Sequence, residues 1–221
     1  DGVSTADGFA SDLCAAPASL PRDGVAMTSG DEKALLFNLD TSVPLFAQGI
    51  YDRTYPASIT KIMTAIIALK YGNMNDEVTI SKEDVTLEKD AQLSGMLPGY
   101  RTSMDGLFHA LMVYSANDAA MAIARHVGGT VENFVAMMND EAKSLGMTGT
   151  HFVNPHGLHD DDHYTTAYDI YLMFNAAYHY QKFYDTMQTN VYNLNVIKPD
   201  GSASVIRLDS TDKYLTGEKT V

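Results

Sequence analysis

Residues 54–72 read TYPASITKIMTAIIALKYG, and this stretch decides the fold. Ile62, Ile66 and Leu69, with Met63 and Ile67, recur at helical spacing and make a broad apolar face that ends at Gly72. Ser58 and Lys61 stand three residues apart at its start. That is almost one helical turn, so their side chains lie on neighbouring faces. A serine hydroxyl becomes a nucleophile when a base takes its proton. First-turn N–H groups without helical partners, and the positive end of the helix dipole, can stabilise an oxyanion beside it. As the base, Lys61 has to be neutral, and at an ordinary pKa near 10.4 only about one lysine in 10³ is neutral at pH 7. A shift of ~3 units takes about 4 kcal/mol of environment acting against the charge, which burial in a groove supplies and a surface position does not. The same residues also suit a capped core helix, since Ser is a routine cap and Ser-x-x-Lys is a common spacing.

A second polar cluster favours the catalytic reading. In YSANDAA (114–120), Ser115 and Asn117 fall at the junction of two helical patterns. Ser115 can relay a proton to a leaving amine, and Asn117 can hold an amide or orient Lys61. Taken alone, this cluster too is a plausible Ser/Asn cap.

Further out, 221 residues fit one domain, and 45% hydrophobic against 19% charged residues supports a packed core. Residues 1–24 read as a flexible leader ending near LPRDG, and 25–221 as one catalytic domain. EKALLFNLDTSVPLFAQG predicts a hairpin with Asp40–Pro44 in its turn. NDEVTI reads as a strand, SKEDV as a short element capped by Ser81, and SGMLPGYRTS as a loop. Helices follow from Ser103, over 118–127, from Thr130 (with Phe134 and Met138 in its apolar stripe) to Gly146, and from the Thr166/Asp169 capping pair. VYNLNVIKPDGSASVIRL predicts a second hairpin around PDGS. With strands at both ends and helices between, the expectation is an α+β, or α/β-sandwich, fold. N- and C-terminal strands would close an antiparallel sheet around an inserted helical region.

The net charge of −13 argues against nucleic acid and against docking on anionic lipid. One cysteine, Cys14, excludes an intrachain disulfide and does not fix the compartment. No segment approaches the ~18 apolar residues of a membrane span. The first residues have neither a basic nor an apolar signal region, so any signal peptide has been removed from this sequence. The loop HFVNPHGLHDDDHY brings His151, His156, His159 and His163 near Asp160, Asp161 and Asp162, but in no zinc spacing; a solvated loop turned by Asn154 and Gly157 accounts for it.

Ser-x-x-Lys followed by Ser-x-Asn resembles the penicillin-binding proteins and serine β-lactamases. YPASITKIMTA, LMVYSANDAAMAIARHVGG, FVAMMNDEAKSLGMTGTHFVNPHGL and HYTTAYDIYLM, spread from Glu32 to Tyr180, are similar to the low-molecular-mass serine D-alanyl-D-alanine carboxypeptidases. The resemblance implies a β-lactamase/transpeptidase-like fold and no cofactor or metal. It implies that Ser58 attacks the carbonyl between the terminal D-alanines of a peptidoglycan stem peptide, with Lys61 as base and Ser115 assisting the leaving D-alanine. Asn117 and the His156-Gly157 loop would contact the substrate, β-lactams would acylate Ser58, and the protein would work outside the cytoplasmic membrane.

The family's third motif, Lys-Thr-Gly, is missing. KYLTG (213–217) carries two extra residues, and EKTV (218–221) has Val221 in place of Gly. The expectation is that the chain stops early, and that a second polypeptide completes the fold or the fragment is inactive. Two alternatives stay open at this point. A class A-like β-lactamase needs a glutamate with asparagine four residues on, and no Glu here has one. A non-hydrolytic penicillin-binding sensor or cell-wall binding domain would acylate without turnover.

Overall fold

The computed structural model describes residues 16–23, 30–38, 43–213, 215–217 and 219. A largely buried helix anchors it. The helix α1 (Lys61–Tyr71) buries Met63, Ala65, Ile66, Ile67 and Ala68. A helix with apolar side chains buried on most of its faces has to be enclosed, and α2 (Met104–Val113), α3 (Asn117–Gly128), α4 (Val131–Ser144) and α5 (Ala167–Tyr178) pack around it. Ser103, Thr130 and Thr166 cap α2, α4 and α5 with side-chain acceptors, as expected. A sixth helix, α6 (Gln181–Met187), was not anticipated; it lacks a side-chain cap.

Two antiparallel sheets flank the helices. In the first, β2 (Ala34–Asn38) and β3 (Val43–Gln48) form the N-terminal hairpin, and β1 (Ser19–Leu20) pairs with the far edge of β3. Its Phe37 meets Tyr171 of α5 edge-on, ring centroids 4.2 Å apart. The second sheet runs β4 (Glu77–Thr79), β5 (Arg101–Ser103), β6 (Val191–Ile197), β7 (Ala203–Asp209).

The α+β class and the helical insertion are as expected, and three details differ. The C-terminal hairpin β6–β7 does not join the N-terminal strands. It pairs through Ile197 with Arg101, a residue placed in a loop by its Gly/Pro-rich neighbours. Within the stretch read as a leader, Ser19–Leu20 forms a strand, and Tyr51 Oη donates to the Ala16 carbonyl at 2.6 Å. Pro44 lies inside β3 and not in the turn. The register shifts there, which accommodates a residue without an N–H. The rest of that turn, 39–42, lies outside the described residues, as do Cys14 and Val221. The second hairpin turns at Gly201, φ +85°, with Asp200 accepting from the Ser202 N–H at 2.9 Å.

Candidate active site

Ser58 sits in a short 3-10 turn, Ala57–Thr60, that runs directly into α1. It is exposed, whereas Lys61 is only 2% exposed. Lys61 Nζ lies 3.1 Å from Ser58 Oγ and 2.7 Å from the His156 carbonyl. Among the described residues no carboxylate holds the charge, and burial lowers the lysine pKa to about 8. About one lysine in ten is then neutral at pH 7.

The turn is fixed from outside. Backbone bonds between Thr54 and Thr165, both 2.9 Å, tie the 151–165 loop to the segment before Ser58. Three consecutive contacts then clamp that loop onto the nucleophile helix. Thr60 Oγ1 meets His163 Nε2 at 2.7 Å, Lys61 reaches the His156 carbonyl, and Thr64 Oγ1 donates to the Pro155 carbonyl at 2.6 Å. Val153 N–H donates to His163 Nδ1 at 3.0 Å, so the neutral ring carries its proton on Nε2 and donates to Thr60. Burial holds His163 neutral, its pKa lowered to about 4. Gly157, at φ +88°, lies so close that a Cβ there would sit 1.9 Å from the Ala57 carbonyl oxygen. Ala57 itself takes φ +47°, a left-handed conformation that only tight surroundings sustain in a residue with a Cβ.

Ser115 is likewise left-handed, φ +59°, and reverses the chain between α2 and α3. Asn117 opens α3, which packs against α1, and is 5% exposed. Its N–H donates to the Gln92 carbonyl at 2.8 Å. Beside it, the buried Asp118 carboxylate accepts from Ser94 N–H and Oγ, the latter at 2.6 Å, and so pins the 92–96 loop. The Ser115 hydroxyl and the Asn117 amide make no hydrogen bond among the described residues, to Ser58, Lys61 or any other group. Both therefore remain available to a ligand.

The sequence-derived candidates thus form two groups. Ser58, Lys61 and His156 are linked in series through Lys61, with Gly157 packed on Ala57 and Thr60, and Ser115 and Asn117 stand on the α2–α3 junction. Thr60, Thr64, Asp118 and His163 were missed as positioning residues. Two of them left a trace: Thr60 and Thr64 are polar residues one turn apart on an otherwise apolar helix. The four loop histidines disperse. His151 bonds the Asp162 carbonyl at 2.6 Å, and His159 pairs with Asp161 at 3.5 Å in the open.

This α+β frame is that of the DD-transpeptidases. The crystal structure of the Streptomyces K15 DD-transpeptidase superposes with a TM-score of 0.78 at 27% identity, over 83% of this chain and 74% of that one. The family model for D-alanyl-D-alanine carboxypeptidase matches residues 25–218, so the chain belongs to that family. It is 32% identical over 154 residues to D-alanyl-D-alanine carboxypeptidase DacF of Bacillus subtilis, covering 68% of this chain and 39% of that protein. It is 35% identical over 166 residues to DacC of Escherichia coli, covering 70% and 41%. The chain spans about two fifths of the length of these relatives.

Proposed function

We propose that residues 25–221 carry the nucleophilic half of a serine D-Ala-D-Ala carboxypeptidase that trims peptidoglycan stem peptides outside the cytoplasmic membrane. The observation that carries this reading is the Ser58–Lys61 contact: a lysine whose charge is disfavoured by burial, within hydrogen-bond reach of an exposed hydroxyl. Neutral Lys61 takes the Ser58 proton as Oγ bonds to the carbonyl carbon between the two D-alanines. N–H groups of the first turn receive the oxyanion. As the C–N bond breaks, Ser115 gives its proton to the departing amine and is reprotonated by the proton held on Lys61. Water then hydrolyses the ester and returns Ser58. Asn117 and the His156-Gly157 loop hold the peptide, and a β-lactam acylates the same serine.

In this reading a second chain supplies the carboxylate-binding Lys-Thr-Gly strand. Among the described strands β2 is an edge strand, with Leu36 53% exposed, which supports a strand added there. Among the described residues no helix is long and apolar enough to cross a membrane.

The test is D-alanine release from a stem pentapeptide by the native protein and its Ser58→Ala variant. Release that disappears with Ser58 is expected. Release that survives the substitution, or a wild type that releases none, would overturn the proposal.

A further inference from the structure

The Thr166/Asp169 pair closes as its spacing predicts, with the Asp169 N–H donating to Thr166 Oγ1 at 3.1 Å. That bond does not use the Asp169 carboxylate, and the residue is only 3% exposed. Among the described residues no lysine, arginine or histidine pairs with it. Burial pushes its pKa up, and a buried charge is costly unless donors surround it. Two donors converge on Oδ2: the Gly149 N–H at 2.8 Å and the Thr150 hydroxyl at 2.7 Å. An ionised carboxylate can only accept, so it fixes the direction of the hydroxyls beyond it. Thr150 donates to Asp169, and its oxygen, 2.8 Å from Thr165 Oγ1, therefore accepts from Thr165. Thr165 is 1% exposed, and its backbone makes the two 2.9 Å bonds to Thr54. Thr54 stands four residues before Ser58, with Pro56 and the left-handed Ala57 between them. A second tie runs beside the first, from the Tyr168 N–H to the Ile50 carbonyl at 2.9 Å. The packing leaves little slack, since a Cβ on Gly149 would sit 2.6 Å from Thr166 Cγ2 and 3.3 Å from Asp169 Oδ2.

We propose that Asp169 is a positioning residue for the nucleophile: through the ordered hydroxyls of Thr150 and Thr165 and the Thr54–Thr165 bridge, it holds Ser58 at Lys61. The inference rests on the carboxypeptidase reading above. Asp169 makes no hydrogen bond to Ser58 or Lys61 and moves no proton in the reaction. It directs the Thr150 and Thr165 hydroxyls one way, and so locks together the loop after α4, the start of α5 and the segment that leads into the nucleophile. A shift of Thr165 passes along that segment to Ser58, because Pro56 has a fixed φ and Ala57 is held in a sparsely allowed conformation.

The experiment follows acylation of the native protein by a fluorescent penicillin up to saturation, which separates the binding constant from the acylation rate constant. Thr165→Val and Thr150→Val keep the threonine shape and delete the hydroxyl, and Asp169→Leu deletes the acceptor. Thr165→Ser keeps the hydroxyl, and Asp169→Asn keeps one acceptor oxygen for Gly149 and Thr150. The three deletions slow the acylation rate constant by about ten- to a hundredfold and leave penicillin binding within about twofold, the pattern of a misplaced reacting group. Serine and asparagine restore the rate constant to within about threefold, because the bonds that carry the position remain. Thr150→Val and Thr165→Val together are no slower than the slower of the two alone, as members of one chain. Thr165→Val reads the effect even where Asp169→Leu fails to fold. A lowered melting temperature with an unchanged rate constant in Thr165→Val would overturn the proposal. So would a loss shared equally by valine and serine, or losses that add in the double variant. A native protein that is not acylated refutes the carboxypeptidase reading and this inference with it; native acylation matched by Thr165→Val refutes the positioning role alone.

Discussion

Gly157→Ala tests whether the 151–165 loop sets the position of the nucleophile. The added Cβ would sit 1.9 Å from the Ala57 oxygen, 2.5 Å from the Ala57 carbon and 2.9 Å from Thr60 Oγ1. The first two are backbone atoms of the residue before Ser58 and cannot rotate away. Restoring the 3.0 Å closest approach moves the loop or the turn by about 1.1 Å. The left-handed backbone costs a residue with a Cβ a further ~1–2 kcal/mol. Displacement also draws the His156 carbonyl off Lys61, a contact of 2.7 Å. A misplacement of about 1 Å at a reacting group costs about 10²-fold in rate. Acylation of Ser58 by a fluorescent penicillin should therefore slow by about 10²-fold, and the melting temperature should fall by about 5–10 °C. An alanine variant that acylates within about threefold of wild type and melts at the same temperature would refute the reasoning, because the loop would then not fix the turn.

Three further outcomes follow from the same geometry. Lys61→Met abolishes acylation yet stabilises the fold at pH 7 by about 1 kcal/mol, the relief of a buried charge less the loss of the bond to the His156 carbonyl. The lysine pKa is depressed from 10.5 to about 8, so the unfolded chain binds the extra proton between those values and wild-type stability rises with pH there. The advantage of Met should shrink over that window in urea titrations. His163→Phe strands the Thr60 hydroxyl and the Val153 N–H and destabilises by about 2–4 kcal/mol, whereas His163→Gln, which keeps a donor and an acceptor, costs under ~1 kcal/mol; equal urea midpoints would contradict this. If, as proposed, a Lys-Thr-Gly strand supplies a second oxyanion donor, residues 1–221 should acylate at least about 10²-fold more slowly alone than with that strand present; equal rates would sink that view.

The nucleophile helix was legible because its signals are local. Apolar spacing marked α1, and the Ser58–Lys61 interval sufficed to bring the two side chains together. Caps at Ser103, Thr130 and Thr166 are likewise encoded within four residues. What escaped was long-range. His163 lies 103 residues from the threonine it holds, and no pattern in either segment announces the pair. The pairing of Arg101 with Ile197 was hidden for the same reason, and it decides which sheet the C-terminal hairpin joins. Gly157 was read as shaping a turn, but its larger role, the close approach to Ala57, exists only once the two segments meet.

The central claim is that Ser58 is a nucleophile activated by a lysine poised for proton removal. The most direct test follows penicilloyl-adduct formation by peptide-mapped mass spectrometry of the native protein from pH 6 to 10. The account predicts a single adduct on Ser58, whose rate rises with pH through a midpoint near 8 as Lys61 loses its proton. An adduct on another residue, no adduct, or a rate on Ser58 that does not change across that range would contradict it.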